Sequence, residues 1–401
     1  MKTTHSNRDV LSGHWQPLLR ATLCCGMASA FALGVPNPVS AQGMAPSVIS
    51  APSIGSSNTI DYANARPKPL PVTSIAPPSL LDVLLSAQAE GGAAEPPSVT
   101  PGRAGNGRMT PVRLAPAKSV AATGSVAPQP EQFGTAAQPF TTSRSNANGN
   151  ITTNFYPFSA AGKLFFNDGA STFVCSAALI RRGLVVTAAH CVSQFGANRF
   201  FTNFRFVPAY NNGAAPYGTW TAAAVRALNS YLRGTEVCAQ RGVVCPNDVA
   251  VITLTPQAGA YPGPRTGWFG VGVNGFSYNA SGQVLITQLG YPVALDGGLL
   301  QQRTDSQGFT AASLSSNTVI GSLQTGGSSG GPWVVNLGIP PVLSGVGFGT
   351  AAAANVVVGV TSWGYGGTGA GIKQQGASRF TATNITALVN AACTATPAAC
   401  S

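Results

Sequence analysis

From about residue 155 onward, short apolar runs alternate with clusters of turn-forming residues. The runs at 172–180, 184–187, 249–254, 271–278, 283–289, 332–335 and 356–363 are rich in Val, Ile, Leu, Phe and Thr. Each is too short for an ordinary helix, and β-branched and aromatic side chains suit a pleated surface, so the runs predict strands. Arg181-Arg182-Gly183 separates the first two as a turn. Several short strands at this spacing predict an all-β barrel or sandwich. Only the tail differs: the run 384–389, Asn-Ile-Thr-Ala-Leu-Val, has helical spacing and predicts a terminal helix.

Residues 42 to about 150 have another pattern. They are rich in Ala, Pro, Ser and Gly and carry almost no sustained apolar periodicity. Such a segment cannot bury enough surface to offset its ordering entropy, so a largely disordered leader or pro-segment is predicted, a plain linker being the alternative. The run 80–85, Leu-Leu-Asp-Val-Leu-Leu, is the exception and suits a turn or two of amphipathic helix. The abrupt change in composition predicts that the leader is removed, with processing near Arg144.

The first 41 residues read as an export signal. Arg20 closes a basic segment, residues 21–35 are apolar, and Val39-Ser40-Ala41 suits cleavage before Gln42. The apolar stretch is too short to span a membrane comfortably, and no later stretch reaches the roughly 20 residues required. Leu23 stands before Cys24 where lipidation needs a small residue. A secreted or periplasmic protein without stable membrane association is predicted, acting as a monomer. The net charge of +11 is scattered with no basic run, which argues against nucleic acid as partner. Six of the eight cysteines remain after the signal: Cys175, Cys191, Cys238, Cys245, Cys393 and Cys400. An even number in an exported chain points to disulfides, and the spacing suggests the local pairs 175–191, 238–245 and 393–400. Zinc is disfavoured, because the mature chain has no Cys-x-x-Cys and one histidine. There is likewise no acidic cluster suited to calcium, so no metal or cofactor is predicted.

That histidine is the centre of the candidate chemistry. His5 and His14 leave with the signal, so any general base of the usual kind near neutral pH must be His190. It follows a predicted strand in Thr187-Ala188-Ala189-His190-Cys191. A glycine-dense loop, Gly326-Gly327-Ser328-Ser329-Gly330-Gly331-Pro332, offers Ser329 as nucleophile, with the amides of Gly327 and Ser329 to hold an oxyanion. The loop also fits Gly-x-Ser-x-Gly, the nucleophile elbow of α/β-hydrolases. That assignment fails on order, since no histidine follows Ser329. Between the two stand Glu236, Asp248, Asp296 and Asp305; Asp248 opens the apolar run 249–252, where a carboxylate can be desolvated and accept the imidazole Nδ1–H.

The order His190, Asp248, Ser329 and the segments 187–191, 247–254 and 327–332 resemble the signature segments of trypsin-like (chymotrypsin-fold) serine peptidases. The resemblance covers roughly residues 155–392. The Cys175–Cys191 spacing is similar to that family's disulfide across the histidine loop, and the run 359–364 to the strand lining its substrate cleft. The resemblance implies an all-β fold of two antiparallel barrels, about 151–262 and 263–392, with His190 and Asp248 in the first and Ser329 in the second. It implies a substrate pocket formed by Leu323, Gln324, Thr361, Ser362, Trp363, Gly364 and a glycine near Gly376. Two departures matter. Ser328 stands where animal members carry an aspartate before the nucleophile, and no Ile-Val-Gly-Gly-like start exists. The run 325–330, Thr-Gly-Gly-Ser-Ser-Gly, is instead similar to bacterial relatives of glutamyl endopeptidases. Leu323 brings no carboxylate, which disfavours Lys or Arg, and Thr361 stands where a glutamyl-specific pocket carries a histidine. The expectation is a secreted serine endopeptidase acting on polypeptides with small or medium uncharged side chains. A catalytically silent binding homologue or an esterase on the same fold is the alternative.

Overall fold

The computed structural model describes residues 46–53, 55, 59–78, 95–107, 111–119, 132–133, 138–146, 152–338, 353–365 and 372–401. The segment 1–41 predicted to be an export signal and the apolar run 80–85 lie outside the described residues.

Two closed barrels of six antiparallel strands follow one another along the chain. The first contains β1 (Ala161–Asp168), β2 (Ser171–Leu179), β3 (Leu184–Thr187), β4 (Thr202–Pro208), β5 (Trp220–Leu228) and β6 (Ala250–Leu254). Its ring runs β5-β4-β1-β2-β3-β6 and closes through β6 onto β5. The second contains β7 (Gln283–Gly290), β8 (Gln302–Ala311), β9 (Asn317–Gly321), β10 (Pro332–Val335), β11 (Val356–Tyr365) and β12 (Gln374–Arg379). Its ring runs β7-β10-β11-β12-β9-β8 and closes through β8 onto β7. Closure pairs the backbone groups that an open sheet would leave at its edges.

The predicted strands 184–187 and 332–335 match in full, and most others fall within two residues of their predicted ends. The run 271–278 overshoots: its strand is Gly270–Val273, and Asn274 and Ser277 then take positive φ in a turn. The barrel-one core stacks Phe166 with Phe173, Phe201 and Phe204 and continues through Leu289, Val334 and Val357 of the second barrel. The C-terminal helix Ala387–Ala395 leaves barrel two and packs back on β5 and β6 of barrel one. A reciprocal cap starts the preceding turn: Thr381 Oγ1 accepts the Asn384 amide and Asn384 Oδ1 accepts the Thr381 amide. All three disulfides expected from the spacing form, 175–191, 238–245 and 393–400. No described helix is long and apolar enough to cross a membrane.

Among the described residues the leader forms no core cluster of its own; its parts are added strand by strand to the barrels, and Ile60, Tyr62 and Leu114 pack on a barrel-one cluster. Where two neighbours cover only part of a long strand, an edge stays open, and the leader takes it. Val48–Pro52 pairs with residues 224–228 of β5, beyond the two residues that face β4. Pro139–Arg144 pairs with 302–306 of β8, below the part that faces β9. Arg66–Pro67 pairs with Phe173 and Val174 of β2, and Val72–Thr73 with Gly364 and Tyr365 of β11. Composition excludes an independent fold for this segment; it does not exclude edge strands stabilised by another domain's hydrogen bonds.

Candidate active site

Register brings the first two residues together. In the β3–β6 pair Thr187 faces Ala250. Two residues before Ala250 therefore face two residues after Thr187, which sets Asp248 beside the short turn Ala189–Cys191. There Asp248 Oδ2 accepts His190 Nδ1–H at 2.7 Å and Oδ1 accepts the His190 amide at 2.8 Å. Ser362 Oγ–H donates to Oδ2 at 2.6 Å from barrel two. The Asp248 amide donates to Ser378 Oγ, whose own hydroxyl donates to the Cys245 carbonyl. The aspartate is 2% exposed, and these donors replace its water. The Cys175–Cys191 disulfide ties the histidine turn to β2.

The Ser329 loop is held against the same end of barrel one. The Ser176 amide donates to the Ser329 carbonyl at 2.7 Å, and Ser176 Oγ donates to the Gly327 carbonyl at 2.9 Å. From the other side the Gly330 amide donates to Thr361 O, and Thr361 N–H donates back to Gly331 O. Gly330 has φ +75°, and a Cβ there would collide with Thr187 Oγ1 and the Ser176 carbonyl. Only glycine fits where the loop meets the histidine strand. Gly327, at φ +93°, aims its amide at the cleft, where it donates to the Lys68 carbonyl of the leader at 3.2 Å.

This architecture leaves two complementary groups unpaired. His190 Nε2 and Ser329 Oγ are both buried without a hydrogen-bond partner among the described residues. One is the lone-pair nitrogen of an imidazole whose other nitrogen donates to a carboxylate, and the other is a hydroxyl. Other buried side-chain atoms, Ser145 Oγ and Asn154 Oδ1 among them, are also unpaired, so what sets these two apart is their chemistry: a hydroxyl that can give up a proton and an imidazole nitrogen that can take one. Ser328, the residue before Ser329, donates its hydroxyl to the Thr325 carbonyl and closes the loop internally.

Of the residues expected to line a pocket, Leu323, Gln324 and Gly364 border a cavity of about 530 Å³. Thr361, Ser362 and Trp363 do not border it. Trp363 is fully buried in the core of barrel two with its Nε1–H on Asn317 Oδ1. Its ring fills the space over Gly376, where a Cβ would strike it. Thr361 Oγ1 accepts from Gln288 Nε2 and Trp333 Nε1. Ser362 points the opposite way, to Asp248. Strand alternation is the signal that separates them, since neighbouring residues on β11 face opposite sides. Gln324 also turns its amide inward, toward Gln288 O and Thr304 Oγ1. Arg144, near the expected processing point, is held in its strand by a bidentate ion pair with Asp296.

Sequence reasoning passed over Glu236, which lies behind Asp248. Its Oε1 accepts the Asn247 amide at 2.7 Å, and Ser230 Oγ donates to Oε2 at 3.4 Å. Burial, reinforced by the negative charge of Asp248, pushes its carboxyl up to about 7. Tyr231 beside it is raised well above the ordinary phenol value, first by burial and then by the carboxylates of Asp248 and Glu236. The folded protein therefore holds the Glu236 proton more tightly than the unfolded chain does. That stabilisation is complete below the ordinary carboxyl value of 4.5 and is lost as pH rises through about 7. Glu236→Gln keeps an acceptor for Asn247 and removes the titration. It is expected to leave stability at pH 4.5 unchanged and to raise it at pH 8 by about 1–3 kcal/mol, read by urea unfolding at the two pH values.

No family model and no curated protein matches the chain. Among solved structures it is similar to the protease Anisep from Arthrobacter nicotinovorans, at 27% identity over 60% of this chain and 95% of that one, TM-score 0.45. It is similar to the thermostable serine protease AL20 from an extremophilic microorganism, at 24% identity over 58% and 96%, TM-score 0.47. A Glu endopeptidase is similar at 16% identity over 65% and 97%, TM-score 0.44.

Proposed function

We propose that this chain is an exported serine endopeptidase. Ser329 Oγ attacks the substrate carbonyl and passes its proton to His190 Nε2. Asp248 fixes the imidazole with Nδ1 protonated and stabilises the imidazolium. The amides of Gly327 and Ser329 hold the oxyanion. The imidazolium then protonates the leaving amine, an acyl-enzyme remains on Ser329, and water releases it by the same route in reverse. The reading rests above all on a buried His190 whose Nδ1–H is held by Asp248 while its Nε2 has no partner among the described residues, and on an unpaired Ser329 hydroxyl whose loop is bonded to Ser176, the residue after the cysteine that ties down the histidine turn. Polypeptides are the substrates, no cofactor takes part, and the three disulfides agree with an oxidising destination outside the cytoplasm. Residues 42–150 act as a pro-segment; because Arg144 is held in a strand, that strand must separate before the chain can be cut there.

A fluorophosphonate probe followed by peptide mapping tests the nucleophile, and the label is expected on Ser329. Absence of label on the processed protein would leave a silent binding homologue as the reading. Profiling against a peptide library is expected to favour small or medium uncharged residues before the cut, since the cavity is bordered mostly by apolar and uncharged residues, and Lys373, the charged residue among them, disfavours Lys and Arg. Dominant cleavage after Lys, Arg or Glu would overturn that specificity.

A further inference from the structure

Two strand edges flank the candidate nucleophile, one from each barrel. On barrel one it is β2 at Phe173–Val174; on barrel two it is β11 at Gly364–Tyr365. An open edge is where a polypeptide binds by adding a strand, its main chain supplying the hydrogen bonds. Residues 66–73, Arg-Pro-Lys-Pro-Leu-Pro-Val-Thr, occupy both edges. The Lys68 amide donates to Val174 O at 2.8 Å, the Gly327 amide to Lys68 O at 3.2 Å, and the Gly364 amide to Pro71 O at 2.9 Å. Side chains anchor the two halves. Lys68 Nζ lies 3.6 Å from Asp168 and 4.4 Å from the Phe201 ring centroid. Leu70 packs over Gly364 and, with Pro67 and Pro69, walls the cavity formed by Leu323 and Gln324. Ser329, two residues beyond Gly327, is 0% exposed.

The direction of this segment decides what it does. Both pairings are parallel. The half before Lys68 lies on β2, the strand joined by disulfide to the turn that carries His190, and the half after it lies on β11. Peptide cleavage needs the opposite arrangement. The leaving nitrogen is C-terminal to the attacked carbonyl and must lie on the histidine side to receive its proton. In the leader the nitrogen that follows the Lys68 carbonyl belongs to Pro69, at the start of the half that runs onto β11.

Resting on the peptidase reading above, we propose that residues 66–73 are an inhibitory strap that fills the polypeptide cleft in the reverse of substrate direction, and that this peptide also binds the opened enzyme in trans. The strap uses the substrate's hydrogen bonds and covers the nucleophile, and it cannot itself be cut in place.

The test uses the full chain. Leu70→Asp places a charge against the cavity wall and Lys68→Glu breaks the contact with Asp168. Each is expected to raise the rate of fluorophosphonate labelling of Ser329 by about tenfold or more, given a tenfold change per 1.4 kcal/mol of lost contact. A synthetic peptide of residues 64–75, added to the Leu70→Asp chain, is expected to slow labelling again. A peptide of the same residues in reversed order is not. Measurable but equal labelling rates in wild type and both variants would overturn the strap. Hydrogen exchange at the Gly327 and Gly364 amides separates this from failure of the peptidase reading. Faster exchange in Leu70→Asp without any labelling keeps the strap and removes the peptidase; unchanged exchange with labelling intact removes the strap alone.

Discussion

Ser329→Ala is expected to lower kcat for peptide cleavage by about 10⁴–10⁶-fold and to leave the fold as stable as before. The two halves of this result come from one observation. The Ser329 hydroxyl makes no hydrogen bond among the described residues although it is 0% exposed. Its removal therefore deletes no hydrogen bond among the described residues. The backbone that holds the loop is untouched, because Ser176 and Thr361 bond to carbonyls and amides, not to this side chain. Loss of activity with an unchanged melting temperature therefore assigns the hydroxyl to chemistry. Activity within tenfold of wild type in the pro-segment-free enzyme would remove Ser329 as the nucleophile. A parallel fall in activity and melting temperature would instead make it structural.

The site was legible because its loops carry unusual residues at strand ends. His190 is the only histidine beyond residue 14, Asp248 opens an apolar run, and Ser329 sits among four glycines. The strands with β-branched runs were legible for the same reason. Of those that were missed, β9, Asn-Thr-Val-Ile-Gly, carries a short run of the same kind, whereas β8 lacks it. The sequence of β8, Gln-Arg-Thr-Asp-Ser-Gln-Gly-Phe-Thr-Ala, is mostly polar, and it is a strand because β7, β9 and the leader pair with it. Residues 66–73 were opaque for a related reason. Alternating prolines favour an extended chain, but nothing in the sequence states which edge such a chain joins. Ser378, Glu236 and Tyr231 surround Asp248 from segments 130, 12 and 17 residues away, and no local pattern marks them. Trp363 was assigned to the pocket with Ser362, although alternation along β11 could have sent them to opposite faces.

That environment of Asp248 makes the second large effect predictable. Asp248→Asn is expected to lower kcat by about 10³–10⁴-fold, and unlike Ser329→Ala it is expected to cost about 1–3 kcal/mol of stability. The wild-type carboxylate accepts three donors: the His190 amide, His190 Nδ1–H and Ser362 Oγ–H. An asparagine in the same place has one acceptor oxygen and one NH₂. If the oxygen keeps the His190 amide, the NH₂ faces Nδ1 and Ser362, and Nδ1 must become the acceptor. The ring proton then sits on Nε2, where it can no longer take the proton of Ser329. If the oxygen turns to Nδ1 instead, the NH₂ faces the His190 amide, two donors meet in a site that is 2% exposed, and the turn that carries the imidazole is strained. Either way the shape survives and proton transfer does not. Turnover of a peptide substrate and urea unfolding, measured on the same preparation, separate the two costs. An Asp248→Asn enzyme with turnover within tenfold of wild type would show that the imidazole is oriented by something other than this carboxylate.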